Sequence, residues 1–170
     1  MCSLSLAKSS PRSANTGQNS GLNGTREAQP LKDEECIFCK IVAGKVPCAK
    51  VYENERLLAF LDIAPNNKGH TLLIPKDHYR SLMELPSHLG EEMLVALKVV
   101  GRAIMDGIGA DGLNLGMNIN AAAGQEVMHA HFHLIPRFKG DDLRLWPPKS
   151  YTGKEEMNDH AQRIASAIRS

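Results

Sequence analysis

Long hydrophobic runs are missing from this 170-residue sequence: no stretch of 18 or more apolar residues occurs, so no membrane-spanning helix is expected. An excess of one charge sign is missing too. Twenty Lys and Arg face nineteen Asp and Glu, a net charge of +1, which gives no overall field toward nucleic acid or a membrane surface. Cysteines number four, at 2, 36, 39 and 48, too few and too clustered for a disulfide scaffold. No secretion signal is evident, so reduced thiols and a cytoplasmic location, with the nucleus also open to the chain, are the expectation. The first 26 residues contain no acidic side chain, and Glu27 is the first.

What is present divides into three stretches. Residues 1–34 are rich in Ser, Asn and Gly without apolar periodicity, and read as a disordered extension. With Lys8, Arg12 and Arg26 and no early acid, an organelle-targeting segment is the alternative reading. Residues 35–148 have globular composition, and 149–170 form a C-terminal extension. Within the globular stretch, Cys36–Ala43 reads as a short helix stopped by Gly44. Val51-Tyr52 and Leu57–Ile63 read as a hairpin, and Gly69–Pro75 as a third strand ended by proline. Ser87 is placed to cap a long helix, whose apolar face would carry Met93, Leu97, Val100, Ile104 and Ile108. Alternation at Leu113, Leu115, Met117 and Ile119 reads as a strand, residues 127–135 as another, and Ala121–Gly124 as the turn between them. A last helix covers about 154–168, with Met157, Ala161, Ile164 and Ile168 on one side. This order predicts an α+β fold with an antiparallel sheet.

The most informative segment is Val-Met-His-Ala-His-Phe-His-Leu-Ile-Pro-Arg, residues 127–137. In an extended strand His129, His131 and His133 share one face, with rings roughly 6.6–7 Å apart. Two such histidines can chelate zinc, but a third overshoots a single ion. The row therefore implies a division of roles. A neutral imidazole is also a nucleophile for phosphorus near neutral pH, and covalent catalysis splits one displacement into two easier ones. His131, flanked on both sides, is the candidate nucleophile. Cys36-x-x-Cys39 is, by itself, open between redox, zinc and core.

The segment HAHFHLIPR resembles the His-x-His-x-His signature of the histidine triad (HIT) superfamily of nucleotide hydrolases and transferases. The resemblance extends to Cys-Ile-Phe-Cys-Lys-Ile (36–41), Ala-Phe-Leu-Asp-Ile-Ala-Pro (59–65), Gly-His-Thr-Leu-Leu-Ile-Pro-Lys-Asp-His (69–78) and Asn118 through Gly124-Gln125. It implies a HIT-like fold: a five-stranded antiparallel sheet with one long and one short helix, joined to a second sheet across a homodimer. By position it implies that His131 becomes nucleotidylated, that His133 contacts the phosphate, and that His70 lies behind the triad. Asp62 would bind ribose hydroxyls, Phe60 and Ile63 would line the base pocket, and Asn118, Gly124 and Gln125 would line the phosphate side. The pattern Leu145-Trp146-Pro147-Pro148 resembles the nucleotide-binding branch, the purine nucleoside phosphoramidases, in which this segment approaches the partner subunit's site.

The resemblance thus implies hydrolysis of adenosine 5'-phosphoramidate-type substrates to AMP. A dinucleoside polyphosphate hydrolase and a nucleotide-binding regulator with little catalysis are the alternatives. It also implies structural zinc on Cys36, Cys39, His78 and His129, and no organic cofactor. One departure stands out. Many members carry a hydroxyl residue after Gly-Gln, thought to serve the leaving group; here it is Glu126.

Overall fold

The structure, a computed structural model, describes residues 32–144 and 146–169. Most of the expected N-terminal extension, together with Cys2 and Leu145, lies outside the described residues. The chain opens with helix α1 (Ile37–Val42) and the antiparallel pair β1 (Lys50–Glu53) and β2 (Leu57–Leu61), followed by β3 (Thr71–Pro75). Helix α2 (Gly90–Ile108) crosses to β4 (Gly112–Gly116), then come β5 (Phe132–Arg137) and helix α3 (Lys154–Ala167). The strands form one sheet in the order β1-β2-β3-β5-β4, antiparallel at every pairing.

Alternation along the strands separates two apolar clusters. Leu57, Ala59, Leu73 and Leu134 point to α2 and meet Met93, Ala96, Val100 and Ile104, residues at helical spacing on one face. Burial of each large side chain in this layer contributes about 1.5–3 kcal/mol. Leu58, Phe60, Leu72 and Ile74 point the other way, where Cys36, Phe38 and Cys39 cover them. The second face also carries His70 and His133. His133 stands opposite Leu72 of β3 and Gly116 of β4.

Several boundaries differ from those expected: β2 ends at Leu61 rather than Ile63 and β3 begins at Thr71 rather than Gly69, and three further differences have a visible cause. Ser87 does not cap α2; it opens a 3₁₀ turn over Ser87–Leu89. That turn runs into the helix, the Gly90 N–H bonding to the Ser87 carbonyl, so the helix has no side-chain cap. Strand β4 ends at Gly116 rather than continuing to Ile119, because the next residues enter a loop whose Asn120 N–H donates to Gln125 Oε1 at 2.8 Å. Strand β5 begins at Phe132, not Val127. The His129 N–H is turned onto the Val127 carbonyl at 2.8 Å, and the Ala130 N–H onto the Tyr79 carbonyl at 2.6 Å. Both donors are therefore outside the sheet ladder.

Beyond β5 the chain is fastened back by Asp141. Its carboxylate accepts from Arg137 Nε at 2.8 Å, Arg137 Nη2 at 2.6 Å and Asn67 Nδ2 at 3.1 Å. The paired guanidinium holds the Asp141 carboxyl well below the usual range. Helix α3 stands with Met157, Ile164 and the following Ile168 exposed.

Candidate active site and metal centre

The turn at 127–130 decides the fate of the three histidines. His129 leaves the strand and is fully buried against α1, while His131 and His133 remain together with ring centroids 4.9 Å apart. The even spacing along a strand expected for all three is thus replaced by a division at His129. Phe38, from the middle of the Cys-x-x-Cys segment, meets both sides, with its ring 5.8 Å from His129 and 5.3 Å from His131.

Each imidazole has a tautomer set by its neighbours. His131 Nδ1 lies 2.6 Å from the His129 carbonyl oxygen. A carbonyl only accepts, so Nδ1 carries the proton and Nε2 keeps its lone pair. Behind them, the Asn66 N–H donates to His70 Nδ1 at 3.3 Å. That leaves the proton on His70 Nε2, which donates to His133 Nδ1 at 3.0 Å. His133 therefore carries its own proton on Nε2, a buried atom with no partner among the described residues. A ring with a free acceptor, His131, and a ring with an unmatched N–H, His133, are thus neighbours, their centroids 4.9 Å apart. Burial pushes the His133 pKa down to about 4, so that ring is neutral near pH 7; burial also lowers the pKa of His70.

Other residues singled out in the sequence lie around this pair. Phe60 is buried edge-on to Phe38, with centroids 5.5 Å apart. Asp62 accepts the Ala64 N–H at 2.9 Å through Oδ1, and its Oδ2 lies 3.4 Å from His70 Nδ1. Ile63 is entirely exposed. Asn118 Nδ2 donates to the Gly124 carbonyl at 3.3 Å. Gly124 adopts φ +84°, a left-handed turn conformation that glycine takes without the Cβ penalty. Gln125 is buried, with its amide committed to the Arg80 carbonyl at 2.7 Å and the Val127 carbonyl at 3.1 Å. These bonds make it a brace for the loop. Glu126 is exposed beside it. Trp146 is exposed, and its indole lies over Gly116 of the same chain, where an added Cβ would meet Cζ2 at 3.4 Å. Gly116 pairs with His133, so this contact is on the histidine face; Gly116 was marked by no sequence motif, and Phe38 only as part of Cys-Ile-Phe-Cys-Lys-Ile.

The second constellation is Cys36, Cys39, His78 and His129, whose donor atoms all lie within 4.8 Å of one another. Cys36 Sγ to His129 Nδ1 is 3.5 Å, Cys39 Sγ to His78 Nδ1 3.4 Å, and Cys39 Sγ to His129 Nδ1 3.7 Å. A tetrahedral ion with Zn–S of about 2.3 Å and Zn–N of about 2.0–2.1 Å would space unlike donors about 3.5 Å apart. Both histidines offer Nδ1. The other nitrogen of His129 reaches the Pro75 carbonyl at 2.9 Å, and that of His78 lies 3.8 Å from Asp33, the outer support expected of ligating imidazoles. Two thiols and two imidazoles in this arrangement fit zinc. Burial raises the Cys36 pKa, a cost that bonding of its thiolate to a cation would offset.

The sequence profile of the HIT domain matches residues 43–140. The chain belongs to the HIT family. Among solved HIT structures, a family member from Bacillus subtilis is 41% identical, with a TM-score of 0.72 over 81% of this chain and 99% of that one. A zinc-bound histidine triad family protein from Mycobacterium smegmatis is 36% identical, with a TM-score of 0.62 over 79% of this chain and 98% of that one. The adenosine 5'-monophosphoramidase hnt1 of Schizosaccharomyces pombe is 41% identical over 138 residues, which cover 79% of this chain and 98% of the relative. The five-stranded antiparallel sheet with its helices matches the HIT fold.

Proposed function

We propose that this HIT-family protein is a nucleotide-binding hydrolase that cleaves the P–N bond of adenosine 5'-phosphoramidate-type substrates and releases AMP. The observation that carries the reading is a pair of complementary groups on neighbouring rings: the His131 Nε2 lone pair, left free because Nδ1 bonds to the His129 carbonyl, and the unpartnered His133 Nε2–H. His131 Nε2 attacks the α-phosphorus while His133 donates to a phosphate oxygen, where negative charge must be held. The P–N bond breaks and its electrons leave with the nitrogen. The amine takes its proton from the solvent side, where Glu126 lies exposed. Water then attacks the nucleotidyl-His131 phosphorus, returning the ring and releasing AMP. Asp62 and Ile63 are assigned to ribose and base. The similarity to the monophosphoramidase of Schizosaccharomyces pombe supports the choice of an amide leaving group.

A dinucleoside polyphosphate hydrolase would use the same nucleophile with a pyrophosphate leaving group. Comparing kcat/KM on an AMP amide and on diadenosine polyphosphates distinguishes the two; preference for the polyphosphates by tenfold or more, about 1.4 kcal/mol, would reject the amidase reading.

We also assign structural zinc to Cys36, Cys39, His78 and His129, on the strength of the donor spacing and the zinc-bound relative. Elemental analysis of the purified protein tests it, with one zinc per chain expected. A homodimer is the assembly we propose: β4 lies at the sheet edge, and α2 carries exposed Val95 and Val99. An unpaired edge is a ready template for a second strand. Sedimentation at micromolar concentration should give twice the chain mass.

A further inference from the structure

His129 belongs to the metal centre through its side chain and to the reaction centre through its backbone. Its Nδ1 faces Cys36 and Cys39 at 3.5 and 3.7 Å, whereas its carbonyl oxygen accepts from His131 Nδ1 at 2.6 Å. The peptide unit between His129 and Ala130 is therefore the object that sets the tautomer and direction of His131. This unit lies before the first residue of β5, so no ladder bond holds it. Its N–H donates instead to the carbonyl of Tyr79 at 2.6 Å. Tyr79 directly follows His78, the other imidazole of the cysteine cluster, and the His78 and His129 rings lie 5.0 Å apart. Both ends of the peptide unit are thus anchored by residues that are, or directly adjoin, the two candidate histidine ligands.

We propose that the metal centre is a positioning device for the nucleophile: with Cys36, Cys39, His78 and His129 gathered on one ion, the His129–Ala130 peptide is fixed and holds His131 as the Nδ1–H tautomer with Nε2 presented to substrate. The inference rests on the zinc assignment above. His78 and His129 are positioning residues in it, and His131 alone reacts. Without the ion, the side-chain link between His78 and His129 reduces to weak thiol–imidazole contacts at 3.4–3.7 Å, and only the bonds to the Pro75 and Tyr79 carbonyls remain. The peptide can then rotate, and the His131 ring is released to the other tautomer. The α2 layer, built from Leu57, Leu73, Val100 and Leu134, is a separate cluster and keeps the domain folded.

The test uses the full chain labelled with ¹⁵N-histidine, loaded with ZnCl₂ or stripped with a chelator. Two-bond ¹H–¹⁵N correlation spectra read the tautomer, and His131→Asn identifies its signals. Intact mass after rapid mixing with an AMP amide reads the rate of nucleotidylation. Zinc-loaded protein is expected to show a single Nδ1–H tautomer at position 131. Stripped protein should keep its α2-layer methyl signals, populate the Nε2–H tautomer and nucleotidylate at least about tenfold more slowly, with substrate half-saturation changed less than about twofold. A folded, stripped protein with the same tautomer and rate overturns the proposal, as does failure to take up zinc. If stripping unfolds the chain, the apolar pair Cys36→Val with Cys39→Val replaces it; a single Nδ1–H tautomer in that variant, or its failure to fold, overturns the proposal. The tautomer readout needs no turnover, so loss of the amidase reading alone would leave this result standing on its own.

Discussion

At the scale of single residues, the chemistry resides in where two protons sit. Carbonyl acceptance at His129 places one on His131 Nδ1, and the relay from the Asn66 N–H through His70 places the other on His133 Nε2. Replacing His131 with Ala or Asn removes the proposed nucleophile, and kcat should fall by at least about a thousandfold in a steady-state assay on an AMP amide. Recovery of wild-type turnover in either variant would refute the assignment. His133 gives a pH-dependent signature. Its pKa is about 4 in the fold against an ordinary 6.5, so the unfolded chain binds a proton that the fold refuses. Above about pH 6.5 the two states do not differ in this proton, and stability falls as pH drops from about 6.5 toward about 4. Discounted for the ring's partial solvent contact, the loss is about 1 kcal/mol, or about 2–4 °C in Tm. His133→Gln lacks this titration, and its Tm should fall less over the same interval. The alternating histidines were legible as a functional row in the sequence. The turn at His129 was not, because it depends on the bond from the Ala130 N–H to the Tyr79 carbonyl, 51 positions away in sequence.

At the scale of elements, the loop from β4 to β5 carries the candidate phosphate-side residues, and Gln125 holds it. One buried amide satisfies the Asn120 N–H and donates to the Arg80 and Val127 carbonyls. Gln125→Ala leaves these groups without partners and should cost about 1–3 kcal/mol, a Tm loss of about 2–10 °C in thermal denaturation. A loss under 1 °C would show that the brace is dispensable. Gly124→Ala should cost less, about 1 kcal/mol, because its penalty is the φ of +84° alone. Strand and helix existence followed from period-two and helical spacing in the sequence, as in Leu113-Asn114-Leu115 and Met93–Ile104. Their ends did not. Alternation continues through Met117 and Ile119, yet the ladder stops at Gly116, and the chain enters a loop in which the Asn120 N–H is bonded to the Gln125 side chain.

At the scale of the whole molecule, the sheet separates two tasks. One face is an apolar layer under α2, which supplies stability; the other carries the histidines, the cysteines and the exposed Trp146 over Gly116. The Cys-x-x-Cys pair was ambiguous in sequence, since its spacing fits redox, zinc or core. The structure brings it to His78 and His129, a convergence that depends on strand order. Metal removal should lower Tm, measured by calorimetry with and without chelator, and an unchanged Tm would speak against a resident zinc. The central claim, a nucleotidyl-histidine intermediate at His131, is tested most directly by intact-protein and peptide mass spectrometry after rapid mixing with an AMP amide. A mass gain of one AMP moiety, mapped to His131 and absent in His131→Asn, is the predicted result. Turnover to AMP with no adduct at His131 under single-turnover conditions, or the same adduct on His131→Asn protein, would contradict it.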